Sequence, residues 1–184
     1  MEPTLVDRIV AIATSLDDAG IEWALGGALA LAYATEEPRA TRDIDLNVFV
    51  EASDVDRVFA ALPPGVAHGA DDRAAVLAAD QVRLWWDGTP IDVFFAADAF
   101  HFDAARRCRS VPLAGHTVRV LCADDLAVFK AMFDRPRDWV DIDEMAACGT
   151  LDRTVAAASL AGVVGADDPR VARLAGTRPD GAAS

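Results

Sequence analysis

Three aspartates are the residues of this sequence whose type and spacing most clearly suggest chemistry. Asp43 and Asp45 stand two positions apart in the segment RDIDLNVFV, and Asp92 interrupts the apolar segment PIDVFF. Because side chains alternate between the two faces of a strand, Asp43 and Asp45 point to the same side. Two carboxylates about 4 Å apart repel each other by roughly 4 kcal/mol at an effective dielectric constant near 20. A divalent cation offsets this repulsion best, because it prefers oxygen ligands, so the spacing predicts a metal site.

A pair of glycines precedes these acids. Gly26 and Gly27 follow the apolar segment IEWAL and open a helix of small residues. A glycine turn at the start of a helix exposes backbone N–H groups, which together with the helix dipole attract an anion such as phosphate. The alternative is an ordinary tight turn beside solvated acids, but it leaves Asp92 unexplained within an apolar strand. The glycines and the acids together predict a site for a phosphate and a metal ion.

At these residues the sequence resembles a known superfamily. The pattern LGG…RATRDIDL…IDVFF resembles the nucleotidyltransferase fold of polymerase-β type, and the form GGxALA…RxTxDIDL is similar to minimal nucleotidyltransferases and AbiE-type toxins. The resemblance implies an enzyme that binds ATP or another nucleoside triphosphate (NTP). The enzyme would transfer the nucleoside monophosphate to an acceptor hydroxyl and release pyrophosphate. Asp43, Asp45 and Asp92 would bind two Mg²⁺ ions, and Gly26 and Gly27 would position the β- and γ-phosphates.

A second cluster lies in the segment FKAMFDRPRDWVDI. Lys130 is the single lysine among 17 basic residues, and this preference for arginine indicates a particular task for its compact ammonium group. The ordinary alternative is a lysine that extends along a helix to reach solvent. The resemblance to AbiE-type toxins implies that Lys130, Asp138 and Asp141 contact the nucleotide, with Lys130 neutralising triphosphate charge. The same segment also fits a capping and ion-pair cluster at a helix start.

Two arginines and two tryptophans complete the set of candidates. Arg39 and Arg42 precede the first acids and could hold triphosphate oxygens, because a guanidinium group donates paired hydrogen bonds. The alternative is pairing with Asp43 or the neighbouring glutamates. Trp85 and Trp86 are adjacent on a predicted strand, so one ring must lie on each face, and one of them is expected to be exposed near the substrate.

Composition limits the class of protein. The chain has 184 residues and a net charge of −13, which argues against nonspecific coating of nucleic acid, because such binding neutralises phosphates. No apolar run reaches the ~20 residues that span a bilayer, and the N-terminus lacks a secretion signal, so we expect no membrane contact and a cytoplasmic location. The three cysteines, Cys108, Cys122 and Cys148, have no paired spacing and are expected to be free thiols.

The apolar periodicity predicts an α+β (α/β) architecture, with a mixed β-sheet flanked by helices and a helical C-terminal third, and the resemblance implies that this is the nucleotidyltransferase fold. We expect a catalytic core over residues 1–121, a helical region over 122–176 and a flexible tail over 177–184. The predicted helices are 5–18, 28–35, 54–62, 98–107, 123–134, 138–147, 151–164 and 168–175. The predicted strands are 21–25, 43–50, 81–87, 90–96 and two within 109–121, and residues 66–80 are ambiguous.

Three functional hypotheses remain open. The resemblance to AbiE-type toxins implies the toxin of a toxin–antitoxin pair, which modifies the 3′ end of tRNA and has a cognate antitoxin as its partner. The second hypothesis is a nucleotidyltransferase for a small molecule such as an aminoglycoside. The third is a nucleotide-binding module without turnover. Growth arrest, drug resistance, or NTP binding without pyrophosphate release would distinguish the three.

Overall fold

The computed structural model describes residues 2–176, and the predicted tail over 177–184 lies outside the described residues. The chain divides into two compact units. The first comprises the chain up to Leu29 together with Arg39–Leu121, and the second comprises Ala30–Pro38 together with the chain from Cys122 onward.

The first unit contains a mixed sheet and the helices that precede and connect its strands. Its strands are β1 (Trp23–Leu25), β2 (Ile44–Val48), β3 (Val66–Ala67), β4 (Gln81–Trp86), β5 (Thr89–Phe95), β6 (Arg109–Leu113) and β7 (His116–Val120). Its helices are α1 (Leu5–Asp18), the start of α2 (Gly27–Thr35), α3 (Val55–Ala61), α4 (Ala70–Ala79) and α5 (Ala99–Arg107).

The strand order places the acid-bearing strands at the centre of the sheet. The order is β3-β4-β5-β2-β1-β7-β6. Strand β2 pairs with β5 in parallel and with β1 in antiparallel orientation, and β4 and β5 form an antiparallel hairpin. The sheet is therefore mixed, and the predicted fold class is confirmed.

Alternation along the central strands buries one face of each. Ile44, Leu46, Ile91 and Val93 are all fully buried, and the acids lie between them on the other face. Burial of these β-branched and leucine side chains in the core fixes the register, because a slip of one residue would expose all of them. The hydrophobic pattern thus determines which way the aspartates point.

The helix boundaries follow local capping chemistry, with two differences from the sequence prediction. Helix α1 begins after Thr4, whose side chain accepts a hydrogen bond from the Asp7 N–H in a capping box. Helix α3 is shorter than the predicted 54–62, because Ala52–Asp54 form a 3₁₀ turn and Asp54 occupies the cap position. The ambiguous residues 66–80 form β3 and α4, which ends at Asp80 in the left-handed conformation.

The second unit is helical. It contains the remainder of α2 and the helices α6 (Ala123–Phe133), α7 (Pro136–Ala147), α8 (Arg153–Val164) and α9 (Pro169–Leu174). Pro136 occupies the first turn of α7, where its missing N–H costs no hydrogen bond. Within residues 2–176, no helix has the length and apolar character needed to cross a bilayer.

Candidate active site in the first unit

Two acids from neighbouring parallel strands lie side by side. Asp45 and Asp92 are direct partners in the register of β2 with β5, and adjacent strands lie about 4.8 Å apart. Asp43 stands two residues before Asp45, immediately ahead of β2. The side chains of Asp43 and Asp45 are both half-buried. The structure therefore places Asp45 and Asp92 side by side on one face of the sheet, with Asp43 just before the start of β2.

Gly27 provides the space that the Asp45 carboxylate occupies. A Cβ atom at Gly27 would lie 1.9 Å from Oδ2 of Asp45 and 2.3 Å from its Cγ. Gly27 also has a φ of +50°, a conformation that side-chain-bearing residues adopt at a cost. Glycine is therefore required here both for its backbone conformation and for the close approach of the acid to the first turn of α2.

Gly26 differs from the prediction. Its backbone N–H was expected to face a phosphate, but it donates a 2.8 Å hydrogen bond to the carbonyl oxygen of Asp45. The pairing of β1 with β2 continues one residue beyond Leu25, and this continuation uses the N–H group. The remaining donors for an anion are the N–H groups in the first turn of α2, which lack acceptors within the helix.

Arg83 is a residue of this site that the sequence prediction missed. It is the direct partner of Asp92 in the β4–β5 hairpin. Its Nε donates to Oδ1 of Asp92 at 2.7 Å, and its Nη2 donates to Oδ2 at 2.7 Å. This is a bidentate ion pair, the strongest common geometry between a guanidinium group and a carboxylate. The signal available from the sequence was the Asp87-Gly88 dipeptide, which favours a two-residue hairpin turn and fixes this register.

The acids fit a divalent cation in donor chemistry, but they are not assembled around one point. Carboxylate oxygens are the ligands that Mg²⁺ prefers, and Gly27 leaves room for the carboxylate of Asp45 beside its neighbour Asp92. Across residues 2–176, no three His, Cys, Asp or Glu side chains are gathered as a ready ligand set. At this face, Arg83 donates hydrogen bonds to both oxygens of Asp92.

The remaining candidates of the first unit lie near the start of β2 and on β4. Arg39 is half-buried and Arg42 is exposed in the segment that leads to Asp43, and their contact with a triphosphate stays a prediction. Trp85 is 48% exposed and is two residues from Arg83 on the same face of β4. Trp86 is half-buried, with the guanidinium of Arg8 5.9 Å from its ring centroid. One ring of the pair is thus exposed on the face that carries the acids.

The candidates of the second unit form a buried ion-pair cluster. Nζ of Lys130 donates to Oδ2 of Asp141 at 2.6 Å and lies 3.6 Å from Oδ1 of Asp138. Arg135 also donates to both carboxylate oxygens of Asp138. Lys130 and Asp138 are 6% and 0% exposed, so this lysine does not extend into solvent. The cluster stabilises the junction of α6 and α7, and its predicted nucleotide contacts remain a prediction.

The buried charges of this cluster allow a first prediction, which concerns the free energy of unfolding. Replacing Lys130 with methionine is expected to lower the free energy of unfolding by about 3 kcal/mol, because it leaves buried carboxylates without their cation. Urea unfolding measures the change. Arg73→Gln is the control, because Arg73 forms an exposed bidentate pair with Asp56 and should cost no more than about 1 kcal/mol. An equal, small loss for both variants would show that the Lys130 cluster contributes little.

A second prediction concerns pH. Burial raises the pKa of Asp138, but the hydrogen bonds and charge of Arg135 and the charge of Lys130 outweigh it and hold the pKa below its ordinary value. The folded state therefore gains stability from this carboxylate above the unfolded pKa of about 3.9 and loses it as the pH falls through the folded value. The stability difference between the native protein and Asp138→Asn should shrink below about pH 4. A difference that is constant from neutral to acidic pH would contradict this assignment.

Comparison with known proteins agrees with the geometry. The family model described as nucleotidyl transferase AbiEii toxin, type IV toxin–antitoxin system, matches residues 8–178. No curated protein sequence matches the chain. The structure of ANT(2″)-Ia with adenylyl-2″-tobramycin is 18% identical, covers 93% of this chain and 94% of that chain, and has a TM-score of 0.54. The lincomycin-bound lincosamide antibiotic adenylyltransferase LnuA is 11% identical, covers 80% of this chain and 99% of that chain, and also has a TM-score of 0.54.

At these identities the likeness to the solved structures concerns the fold, whereas the family match spans most of the chain. The resemblance inferred from the glycine pair and the three acids is confirmed. The protein is an enzyme of the nucleotidyltransferase type, and the chain belongs to the AbiEii family of nucleotidyl transferase toxins.

Proposed function

We propose that this enzyme transfers a nucleoside monophosphate from an NTP to the 3′ end of tRNA, in a reaction that depends on Mg²⁺, as the toxin of a toxin–antitoxin pair. The observation that carries the proposal is that Asp45 and Asp92 are direct partners in the pairing of β2 with β5. They lie next to Gly27, whose missing side chain leaves room for the Asp45 carboxylate. The family match supports the toxin role and the presence of a cognate antitoxin. The tRNA acceptor rests on the resemblance to AbiE-type toxins.

The residues of the first unit supply the groups that such a transfer needs. Asp43, Asp45 and Asp92 would hold Mg²⁺, which supplies charge stabilisation at the α-phosphate and alignment of the attacking and leaving oxygens. The N–H groups in the first turn of α2 would bind phosphate oxygens, and Arg39 and Arg42 would add guanidinium contacts. The nucleotide contacts of Lys130, Asp138 and Asp141 are part of the proposal on the strength of the resemblance.

The proposed reaction is a displacement at the α-phosphorus of the NTP. The acceptor hydroxyl oxygen forms a bond to the α-phosphorus, the bond between the α-phosphorus and the bridging oxygen breaks, and pyrophosphate leaves. The proton of the hydroxyl passes to a carboxylate, for which Asp92 is the candidate, because its side chain is 20% exposed on the acid-bearing face.

A small-molecule acceptor is the second candidate, and one observation favours it. The net charge of −13 repels a polyanion such as tRNA and attracts a cationic acceptor such as an aminoglycoside. ANT(2″)-Ia, whose fold is similar, is described as an antibiotic-resistance factor. Binding of tRNA would then require a local basic surface, whereas a cationic drug would not.

The deciding experiment offers both acceptors to one preparation. Purified protein is incubated with each α-³²P-labelled NTP, Mg²⁺, and either total tRNA or a panel of aminoglycosides and lincosamides. Our proposal predicts labelled tRNA from which a 3′ exonuclease releases the label. Label on a drug would favour the second candidate. NTP binding without pyrophosphate release would contradict both and indicate a module without turnover.

A further inference from the structure

Arg83 forms a bidentate ion pair with Asp92, one of the three predicted metal ligands. Both of its hydrogen bonds to Asp92 measure 2.7 Å, and the pair is a direct cross-strand pair of the β4–β5 hairpin. A positive charge therefore lies directly against one of the three predicted metal ligands.

The position of Arg83 is electrostatically favourable. Neighbouring carboxylates repel each other, and a cation beside them relieves the repulsion. A guanidinium group that holds both oxygens of Asp92 leaves that carboxylate few free lone pairs for a metal ion. Occupation of Asp92 by Arg83 and coordination of Mg²⁺ by Asp92 are thus competing states.

The side chain of Arg83 is free to leave this position. It is 53% exposed, whereas Asp92 is 20% exposed, so the guanidinium group can turn into solvent without opening the core. Because the Arg83 side of the pair is open to water and salt, the guanidinium group is solvated and screened as soon as it leaves Asp92. Displacement by a divalent cation is therefore inexpensive compared with the loss of a buried pair.

We propose that Arg83 is a positioning residue that holds Asp92 beside Asp45 in the metal-free protein and is displaced from Asp92 when a divalent cation binds. The inference rests on the proposed Mg²⁺ dependence. Arg83, which is not itself a metal ligand, thereby weakens the metal affinity of this enzyme. The release of Arg83 also leaves a guanidinium group on the same face, two residues from the exposed Trp85.

The test measures metal binding without nucleotide or acceptor. Mn²⁺ is titrated into the full chain, and the free ion is followed by electron paramagnetic resonance. Arg83→Gln should bind Mn²⁺ about tenfold more tightly than the native protein, because one competing positive charge is removed. Arg73→Gln removes a similar exposed bidentate pair from α4 and should leave the affinity unchanged. Asp92→Asn should weaken binding in either background.

Unchanged or weaker Mn²⁺ binding in Arg83→Gln would overturn the inference, and so would binding that does not depend on Asp92. Thermal unfolding of each variant shows whether it is folded. A second readout keeps the test direct: the side-chain Nε–H resonance of Arg83 should shift when Mg²⁺ is added to the native protein, and that of Arg73 should not. Because neither measurement uses an NTP, absence of nucleotidyl transfer would refute the proposed function without deciding this inference.

Discussion

Replacing Asp45 with asparagine is expected to lower nucleotidyl transfer by about 10³-fold or more, because it removes a charged ligand at the point where charge develops in the transition state. The change is almost isosteric. Urea unfolding of the variant separates loss of activity from loss of folded protein. Initial rates with α-labelled NTP and the acceptor that becomes labelled in the deciding experiment measure the effect.

Asp103→Asn is the matched control for this variant. Asp103 lies on α5 of the same unit, where it pairs with Arg106 at an exposed position. Its replacement should leave the rate unchanged, since it removes an equal charge away from the site. Equal labelling by Asp45→Asn and the native protein would remove Asp45 from the mechanism.

The variant Gly27→Ala should lose at least about 100-fold in activity, although it adds only one methyl group. The new Cβ would lie 1.9 Å from Oδ2 of Asp45, so the carboxylate must move away from the first turn of α2. A displacement of this size misplaces both the proposed metal ligand and the phosphate-binding turn. Steady-state rates at saturating NTP measure the loss.

Gly20→Ala separates this clash from backbone strain. Gly20 has a φ of +62°, close to the +50° of Gly27, but a Cβ there meets no atom within 4 Å. Both variants should lose about 1–2 kcal/mol of stability for the left-handed backbone. Only Gly27→Ala should lose activity beyond what unfolding explains. If the two variants retain equal activity, the close approach of the Asp45 carboxylate to Gly27 has no part in catalysis.

The fold was largely predictable from the sequence, because its signals are local. Alternating apolar residues define β2, and Thr4, Pro136 and the glycines mark where helices begin and end. Residues 66–80 gave no clear signal, since α4 buries only Val76 and therefore lacks an apolar stripe. Its existence depends on tertiary packing rather than on its own periodicity.

The site was predictable only in part, because its details depend on register. Asp43 and Asp45 were recognised from their two-residue spacing, and Asp92 was recognised because it interrupts an apolar strand. A turn centred on Gly88-Thr89, as predicted, places Trp85 opposite Asp92. The observed turn at Asp87-Gly88, with Asp87 at a φ of +49°, places Arg83 there instead. An error of one residue in a turn shifts the cross-strand partner by two, and this shift concealed the ion pair.

Gly26 illustrates a second limit of sequence reasoning. A glycine at this position indicated a phosphate contact. Its N–H instead donates to the carbonyl oxygen of Asp45 and completes the pairing of β1 with β2. The lack of a side chain at this position serves packing, because a Cβ would lie 2.7 Å from Nδ2 of Asn47. A pattern of glycines identifies where the backbone approaches another group, but it does not identify that group.

The most direct measurement is anomalous diffraction from crystals grown with Mn²⁺ and a non-hydrolysable NTP analogue. Our account predicts manganese between the carboxylates of Asp45 and Asp92, with the triphosphate against the first turn of α2. Manganese and nucleotide bound away from the β2–β5 pair would contradict it.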